Sequence, residues 1–257
     1  TFGAMAATGQ DKIKEGFGDG VPHFSYAVYN DLASVEKLVN QDTAAVMLEL
    51  VQGESGVRPA EVAFVKNLAD FCRREEILLI VDEVQTGMGR TGQLYSFEHY
   101  GIVPDIVTLA KGLGNGLPAG ALLGKSSLAP AFGPGSHGST FGGNKLAMAA
   151  ALETLHIMKE AGFMEEVRSK SAILLEQLQF AFQDHPNISA VRGLGMMIGI
   201  ETSASLSRLV EDARQKGLII LTAGENVIRL LPPLTINREE IQQGIAILKE
   251  VFSELDE

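Results

Sequence analysis

The chain has 257 residues, 46% of them hydrophobic and 21% charged, which supplies a sizeable core and excludes a disordered or low-complexity scaffold. Its formal net charge of -11, from 21 Lys and Arg against 32 Asp and Glu, is the wrong sign for gripping nucleic-acid phosphates or an anionic membrane. The single cysteine, Cys72, can form no intrachain disulfide and fits a reducing, cytoplasmic compartment, and no apolar run approaches the ~20 residues that span a bilayer.

The opening TFGAMAATGQ has neither the basic start nor the apolar block of a signal peptide, and it reads as a fragment lacking its own N-terminus. Between Thr43 and Leu123, short apolar runs alternate with one amphipathic stretch, the order that builds a parallel sheet covered by helices. The strands are expected at Ala44 to Leu50, Leu78 to Val81, Ile106 to Leu109 and Ala119 to Leu123, lying side by side. Between the first two, the stretch Glu61 to Glu76 places Val62, Val65, Leu68, Ala69 and Cys72 at helical spacing just after Pro59, a reasonable helix start, with Cys72 as packing. Helices are expected from Asn144 to Lys159 and from Phe163 to about Phe182, before His185, Pro186 and Asn187 stop the second. The texture then changes to two strands around Gly193, a helix from Ser205 to Lys216, strands at Leu218 to Leu221 and Val227 to Leu231, and a helix from Arg238 to Leu255. The chain therefore divides near Gly162, into 1–161 and a smaller α/β unit over 162–257.

Two motifs mislead. Gly120 to Ser126, GALLGKS, imitates a phosphate loop, but Gly120 and Gly124 enclose three residues where four are needed, and the acidic strand end ILLIVDE precedes it instead of following. Gly193, Gly195 and Gly199 imitate a dinucleotide fingerprint, but the residues after Gly195 are β-like, so a glycine-kinked hairpin is expected. The five histidines show no zinc-ligand spacing, and no metal site is expected.

Asp82 and Lys111 carry better chemistry. Asp82 ends one apolar strand and Lys111 follows the next, and in open α/β sheets ligands bind beyond the carboxyl ends of strands. A lysine whose amine is freed by desolvation can hold an aldehyde such as pyridoxal phosphate as a Schiff base, and a buried aspartate can keep the cofactor's ring nitrogen protonated. Spacing alone leaves open a plainer reading, with Asp82 capping a turn and Lys111 in a surface ion pair.

The strings VDEVQTGMGRTG from Val81, TLAKGLGNGLPAGA from Thr108, HGSTFGGN from His137 and IRLLPPLT from Ile228 closely resemble the class III aminotransferases, in order and over essentially the whole chain. The resemblance implies the fold-type I architecture of pyridoxal-phosphate-dependent transferases: a large domain on a mostly parallel seven-stranded sheet flanked by helices, a smaller C-terminal α/β domain, and a homodimer with its active sites at the interface. By resemblance, residues 1–161 are the C-terminal part of the large cofactor-binding domain and 162–257 the small domain. Lys111 is implied as the Schiff-base lysine and proton shuttle, Asp82 as the partner of the ring nitrogen, and Gln85 as a contact to the ring hydroxyl. Ser139 and Thr140 match a segment that crosses the dimer to the cofactor phosphate. Arg229 matches the arginine that forks onto a substrate carboxylate, and Glu54 the glutamate that pairs with it and swings away.

The implied activity is transfer of the terminal amino group of N-acetylornithine to 2-oxoglutarate, a step of arginine biosynthesis. The alternatives are a relative acting on ornithine, succinylornithine or 4-aminobutyrate, or an incomplete fragment serving only in assembly. Leu50 stands where the family often has proline, as does Lys145. The family's phosphate-binding Gly-Ser/Thr turn and ring-stacking aromatic lie upstream of Thr1, so weak cofactor binding or none is expected of this chain alone.

Overall fold

Four strands form the sheet that carries the first half of the chain in the computed structural model, which describes residues 1–18 and 20–255. Helices α1 (Phe2–Ala7) and α2 (Leu32–Leu38), unassigned from sequence, precede strand β1 (Ala45–Leu48). A small antiparallel ribbon follows, β2 (Val51–Gln52) with β3 (Arg58–Pro59), then α3 (Val62–Arg74), β4 (Leu78–Asp82), β5 (Ile106–Leu109) and β6 (Ala121–Gly124). The sheet order is β1-β4-β5-β6, so the four apolar runs do lie side by side. The first three strands are parallel, whereas β6 runs antiparallel to β5. A parallel return needs a long crossover, usually a helix, and between Leu109 and Ala121 the chain makes only a single 3-10 turn at Lys111–Leu113.

Helix α3 buries Phe64, Val65, Leu68, Ala69, Phe71 and Cys72 against Leu50, Leu79 and Val81 of the sheet side. The helix starts at its N-cap Glu61, where the sequence places it, and Pro59 before it pairs with Val51 on the short ribbon, where its missing N–H costs little. Helices α4 (Lys145–Met158) and α5 (Phe163–Phe182) fall where expected, and the Asn144 side chain caps α4 by accepting from the Ala147 N–H at 2.9 Å.

The second half builds its own sheet. Strands β7 (Ile188–Leu194) and β8 (Met197–Thr202) form the glycine-kinked hairpin, α6 (Leu206–Gln215) follows, then β9 (Leu221–Ala223), β10 (Val227–Leu230) and α7 (Arg238–Ser253). The order is β7-β8-β10-β9, antiparallel throughout. Strand β9 begins three residues later than the run from Leu218 predicts, because the Leu218 N–H is spent on the Ala213 carbonyl closing α6 and Ile220 enters the core.

Alternation along these strands sets two faces. Ile198, Ile200 and Ile228 pack against α5, α6 and α7, while Met197 points the other way onto Val51 and Val57. Arg229, next to Ile228, therefore faces the first sheet. The two halves are laced together there: the Met196 N–H donates to the Arg90 carbonyl at 2.9 Å, the Gly224 N–H to the Glu54 carbonyl at 2.7 Å, and Arg192 to the Gly56 carbonyl at 2.8 Å. At the hairpin tip Gly195 has φ +63°, and a Cβ there would sit 2.3 Å from the Thr91 carbonyl carbon. No helix among the described residues is long and apolar enough to cross a membrane.

Candidate active site

The carboxyl ends of the parallel strands converge on one crevice. Asp82, the last residue of β4, has one carboxylate oxygen held by the Thr108 hydroxyl and the Val84 N–H, each at 2.9 Å. Its other oxygen makes no hydrogen bond among the described residues. Lys111 lies just past β5, in the left-handed region at φ +44°, where a residue other than glycine is strained by about 1–3 kcal/mol. Among the described residues nothing hydrogen-bonds or ion-pairs with its exposed amine. A cavity of about 380 Å³ opens beside it, lined by Lys111, Gly116, Leu117, Pro118 and Ala119, within the range of small-molecule sites.

Glu54, Gln85 and Arg229 form the adjoining wall. The Arg229 Nη1 donates to Glu54 Oε1 at 2.8 Å, and the Gln85 amide nitrogen donates to the same oxygen at 3.0 Å. Gly53 makes room for this: a Cβ there would lie 2.6 Å from the Gln85 amide oxygen. Burial pushes the Glu54 carboxyl up, but the hydrogen bond and charge of Arg229, the Gln85 donor and the charge of Lys111 outweigh it and hold the carboxyl below its ordinary value. Arg229 is only 7% exposed, and its Nε is buried with no partner. A buried guanidinium N–H without an acceptor is costly and suits an incoming carboxylate.

Sequence reasoning missed two acids. Glu49, one residue beyond β1, is half-buried in the same crevice, where burial and neighbouring Asp82 push its carboxyl up to about 7 against the pull of Lys111 and Arg229. Its place was hidden because the strand predicted over Ala44 to Leu50 includes it, whereas β1 ends at Leu48. Glu83 is 1% exposed and accepts from the hydroxyls of Thr86 at 2.5 Å and Ser96 at 2.7 Å and from the Phe97 N–H at 3.1 Å. Burial raises its carboxyl despite these donors, and its work is to anchor the loop that carries Gln85.

Ser139 and Thr140 are not brought into this cluster. Both are exposed, on the turn before α4, where Ser139 accepts from the Gly142 N–H at 3.0 Å, and neither bonds to a residue of the crevice.

The crevice residues suit pyridoxal phosphate chemically: an uncommitted amine at Lys111 for the aldehyde, a free carboxylate oxygen at Asp82 for a protonated ring nitrogen, and an orphaned guanidinium N–H at Arg229 for a substrate carboxylate.

A mostly parallel sheet that presents an acid and a lysine at adjoining strand ends, closed by an arginine from a second sheet, defines an α/β transferase-like core. The chain belongs to the family described as aminotransferase class-III, whose model matches residues 1–252. An acetylornithine aminotransferase from Streptococcus mutans is 66% identical over 254 residues, which cover 99% of this chain and 67% of that protein. One from Listeria monocytogenes is 55% identical over 252 residues, covering 98% of this chain and 65% of that protein. A crystal structure of an ornithine aminotransferase from Toxoplasma gondii superposes with a TM-score of 0.94 at 30% identity, over 100% of this chain and 62% of its own. The chain thus spans about two thirds of the length of these relatives.

Proposed function

We propose that this chain forms the greater part of a pyridoxal-phosphate-dependent aminotransferase that moves the terminal amino group of N-acetylornithine to 2-oxoglutarate, yielding N-acetylglutamate semialdehyde and glutamate. The observation that carries this reading is the convergence of an uncommitted Lys111 amine with Asp82 at adjoining strand ends, faced by the paired Arg229 and Glu54. The choice of N-acetylornithine over ornithine follows the identities: 66% to a curated acetylornithine enzyme, against 30% to the ornithine enzyme of similar fold.

When bound, pyridoxal phosphate supplies an electron-accepting ring. Lys111 provides the amine that holds the aldehyde and, once released, moves a proton from the substrate carbon. Asp82 keeps the proton on the ring nitrogen, its carboxylate fixed by Thr108 and Val84. Gln85 would contact the ring hydroxyl. Arg229 forks onto the carboxylate of 2-oxoglutarate when Glu54 swings aside, and Glu54 neutralises Arg229 while the amino donor is bound, so that one pocket serves two dissimilar substrates.

In this reading 1–161 are the C-terminal part of the large domain and 162–257 the small domain. The protein is a homodimer in which Ser139 and Thr140 of one subunit reach the cofactor phosphate of the other; the exposure of these hydroxyls, and of Phe141 at 81% and Leu146 at 71% beside them, supports a covered face there. The lone, buried Cys72 supports a reducing compartment, the cytoplasm.

The test is borohydride reduction with pyridoxal phosphate, followed by peptide mapping, on this chain and on a version extended upstream. An adduct on Lys111 is expected in the extended protein. Its absence there overturns the reading, and an adduct in the extended protein alone assigns the upstream part to cofactor binding.

A further inference from the structure

One row of the second sheet holds two arginines with a glycine between them. Arg192 on β7 and Arg229 on β10 both pair with Gly199 on β8, so the three lie side by side across the strands and share one face. The turn between β2 and β3 rests on this row. Arg229 takes its Glu54 end through the 2.8 Å bond to the carboxylate. Arg192 takes the other end: Nη2 donates to the Gly56 carbonyl at 2.8 Å, and Nε donates to the Gly56 carbonyl at 3.2 Å and to the Val57 carbonyl at 3.1 Å. Its Nη1 pairs with Glu201, whose other oxygen accepts from the Asn226 amide at 3.1 Å.

The turn held in this way is strained. Val57 is fully buried beside Val51 and Met197 at φ +49°, where a β-branched residue is an outlier, and Gly56 before it has φ +95°. Two features hold it in place. One is the Arg192 fork on its carbonyls; the other is the missing side chain of Gly199, where a Cβ would lie 3.0 Å from the Val57 Cβ and 3.3 Å from the Gly56 carbonyl oxygen. Gly199, which in sequence only imitates a nucleotide fingerprint, thus leaves the seat between the two arginines. The carbonyl of Glu54 is fixed as well, by the Gly224 N–H at 2.7 Å. The backbone at and after Glu54 is therefore fastened to the second sheet, while the Glu54 side chain stays 48% exposed and free to turn.

We propose that Arg192 is a positioning residue for the exchange of partners at Arg229. By fixing the turn at Gly56 and Val57 it keeps the Glu54 carboxylate where it competes with an incoming dicarboxylate for that guanidinium, and so sets the balance between the two substrates without touching either. This deepens, and rests on, the reading of Arg229 and Glu54 given above. With the turn held, uncovering Arg229 requires only a rotation of the Glu54 side chain. With the turn released, the carboxylate samples more positions, its preorganisation at Arg229 is lost, and a dicarboxylate meets a weaker competitor.

The test is calorimetric binding of glutarate, an unreactive dicarboxylate, to the cofactor-loaded protein extended upstream. Glutarate should bind about 3–10-fold more tightly to Arg192→Met than to wild type, as when a competing contact loses the support of one or two hydrogen bonds. Arg192→Lys, which retains a donor, should fall between them. Gly199→Ala keeps the guanidinium but pushes the turn off its seat, so it should shift affinity in the same direction, and it carries the test where Arg192→Met does not fold. Because Arg192 acts through Glu54, adding Arg192→Met to Glu54→Gln should change nothing further. Weaker or unchanged affinity in either single variant, or an effect of Arg192→Met that adds to that of Glu54→Gln, overturns the proposal. Failure of the wider reading registers separately: if Arg229→Lys binds glutarate as wild type does, Arg229 is not the dicarboxylate site and the proposal falls with it.

Discussion

Arg229 and Glu54, 175 positions apart in the chain, meet with Nη1 2.8 Å from Oε1 and close one wall of the crevice. The bond joins the C-terminal sheet to the ribbon loop after β2, and Gln85 steadies it from the loop after β4. Because the folded Glu54 carboxyl sits below its ordinary 4.5, the pair is fully formed above that value and is lost only as pH falls through the lower, folded value.

Replacement of Arg229 by Lys keeps the charge and loses the fork. The half-reaction with 2-oxoglutarate should slow on the order of 10–100-fold, the cost of one or two charged hydrogen bonds, while the half-reaction with the amino donor changes less. Glu54→Gln should shift the balance the other way, favouring the dicarboxylate. Single-turnover kinetics of the separate half-reactions check both, and equal losses in both halves for Arg229→Lys would contradict the assignment.

Asp82→Asn preserves an oxygen acceptor for Thr108 and Val84 but removes the negative charge. The fold should survive, with an unchanged thermal midpoint, while transamination falls on the order of 10²–10³-fold, as when a preorganised electrostatic contact is lost. Circular dichroism melting beside steady-state rates separates the two effects.

Glu49 makes stability depend on pH. Its carboxyl titrates at about 7 in the folded chain against 4.5 ordinarily, so between those values the folded state binds more protons than the unfolded state. Stability should therefore fall as pH rises through that window and level off above it. Glu49→Gln should lack this slope and, above neutral pH, exceed wild type by up to roughly 3 kcal/mol. Urea denaturation across the pH range measures the difference; parallel curves for the two proteins would refute it.

Gly195→Ala places a Cβ against the Thr91 backbone at a residue whose φ is +63°. The neighbour is main chain and cannot turn aside, so the hairpin must part from the loop held by Arg90. A loss of about 1–3 kcal/mol or more is expected, seen as a lower urea midpoint. Gly217→Ala is the control: its φ is also positive, but a Cβ there meets nothing within 4 Å, so it should lose only the backbone share.

Much of the fold is legible locally. The runs that became β1, β4 and β5 are short, apolar and bounded by charge or glycine, and α3 shows its face through Val65, Leu68 and Cys72. The antiparallel β6 and the place of Pro59 were not legible, because strand direction and ribbon pairing depend on partners distant in sequence. Of the crevice, Asp82 and Lys111 stand out at strand ends, whereas Glu49 does not, since a glutamate after a strand is ordinary until its neighbours are known.

By itself the sequence determined the family and the residue types available to it, because motifs, periodicity and strand ends are properties of neighbours along the chain. Only the tertiary structure decided that Arg229 faces Glu54, that its Nε lies buried without an acceptor, and that the half-buried Glu49 feels the charges of Asp82 and Lys111. Those are relations between charges brought together from distant segments, and their energies are set by separation and desolvation, neither of which exists until the chain has folded.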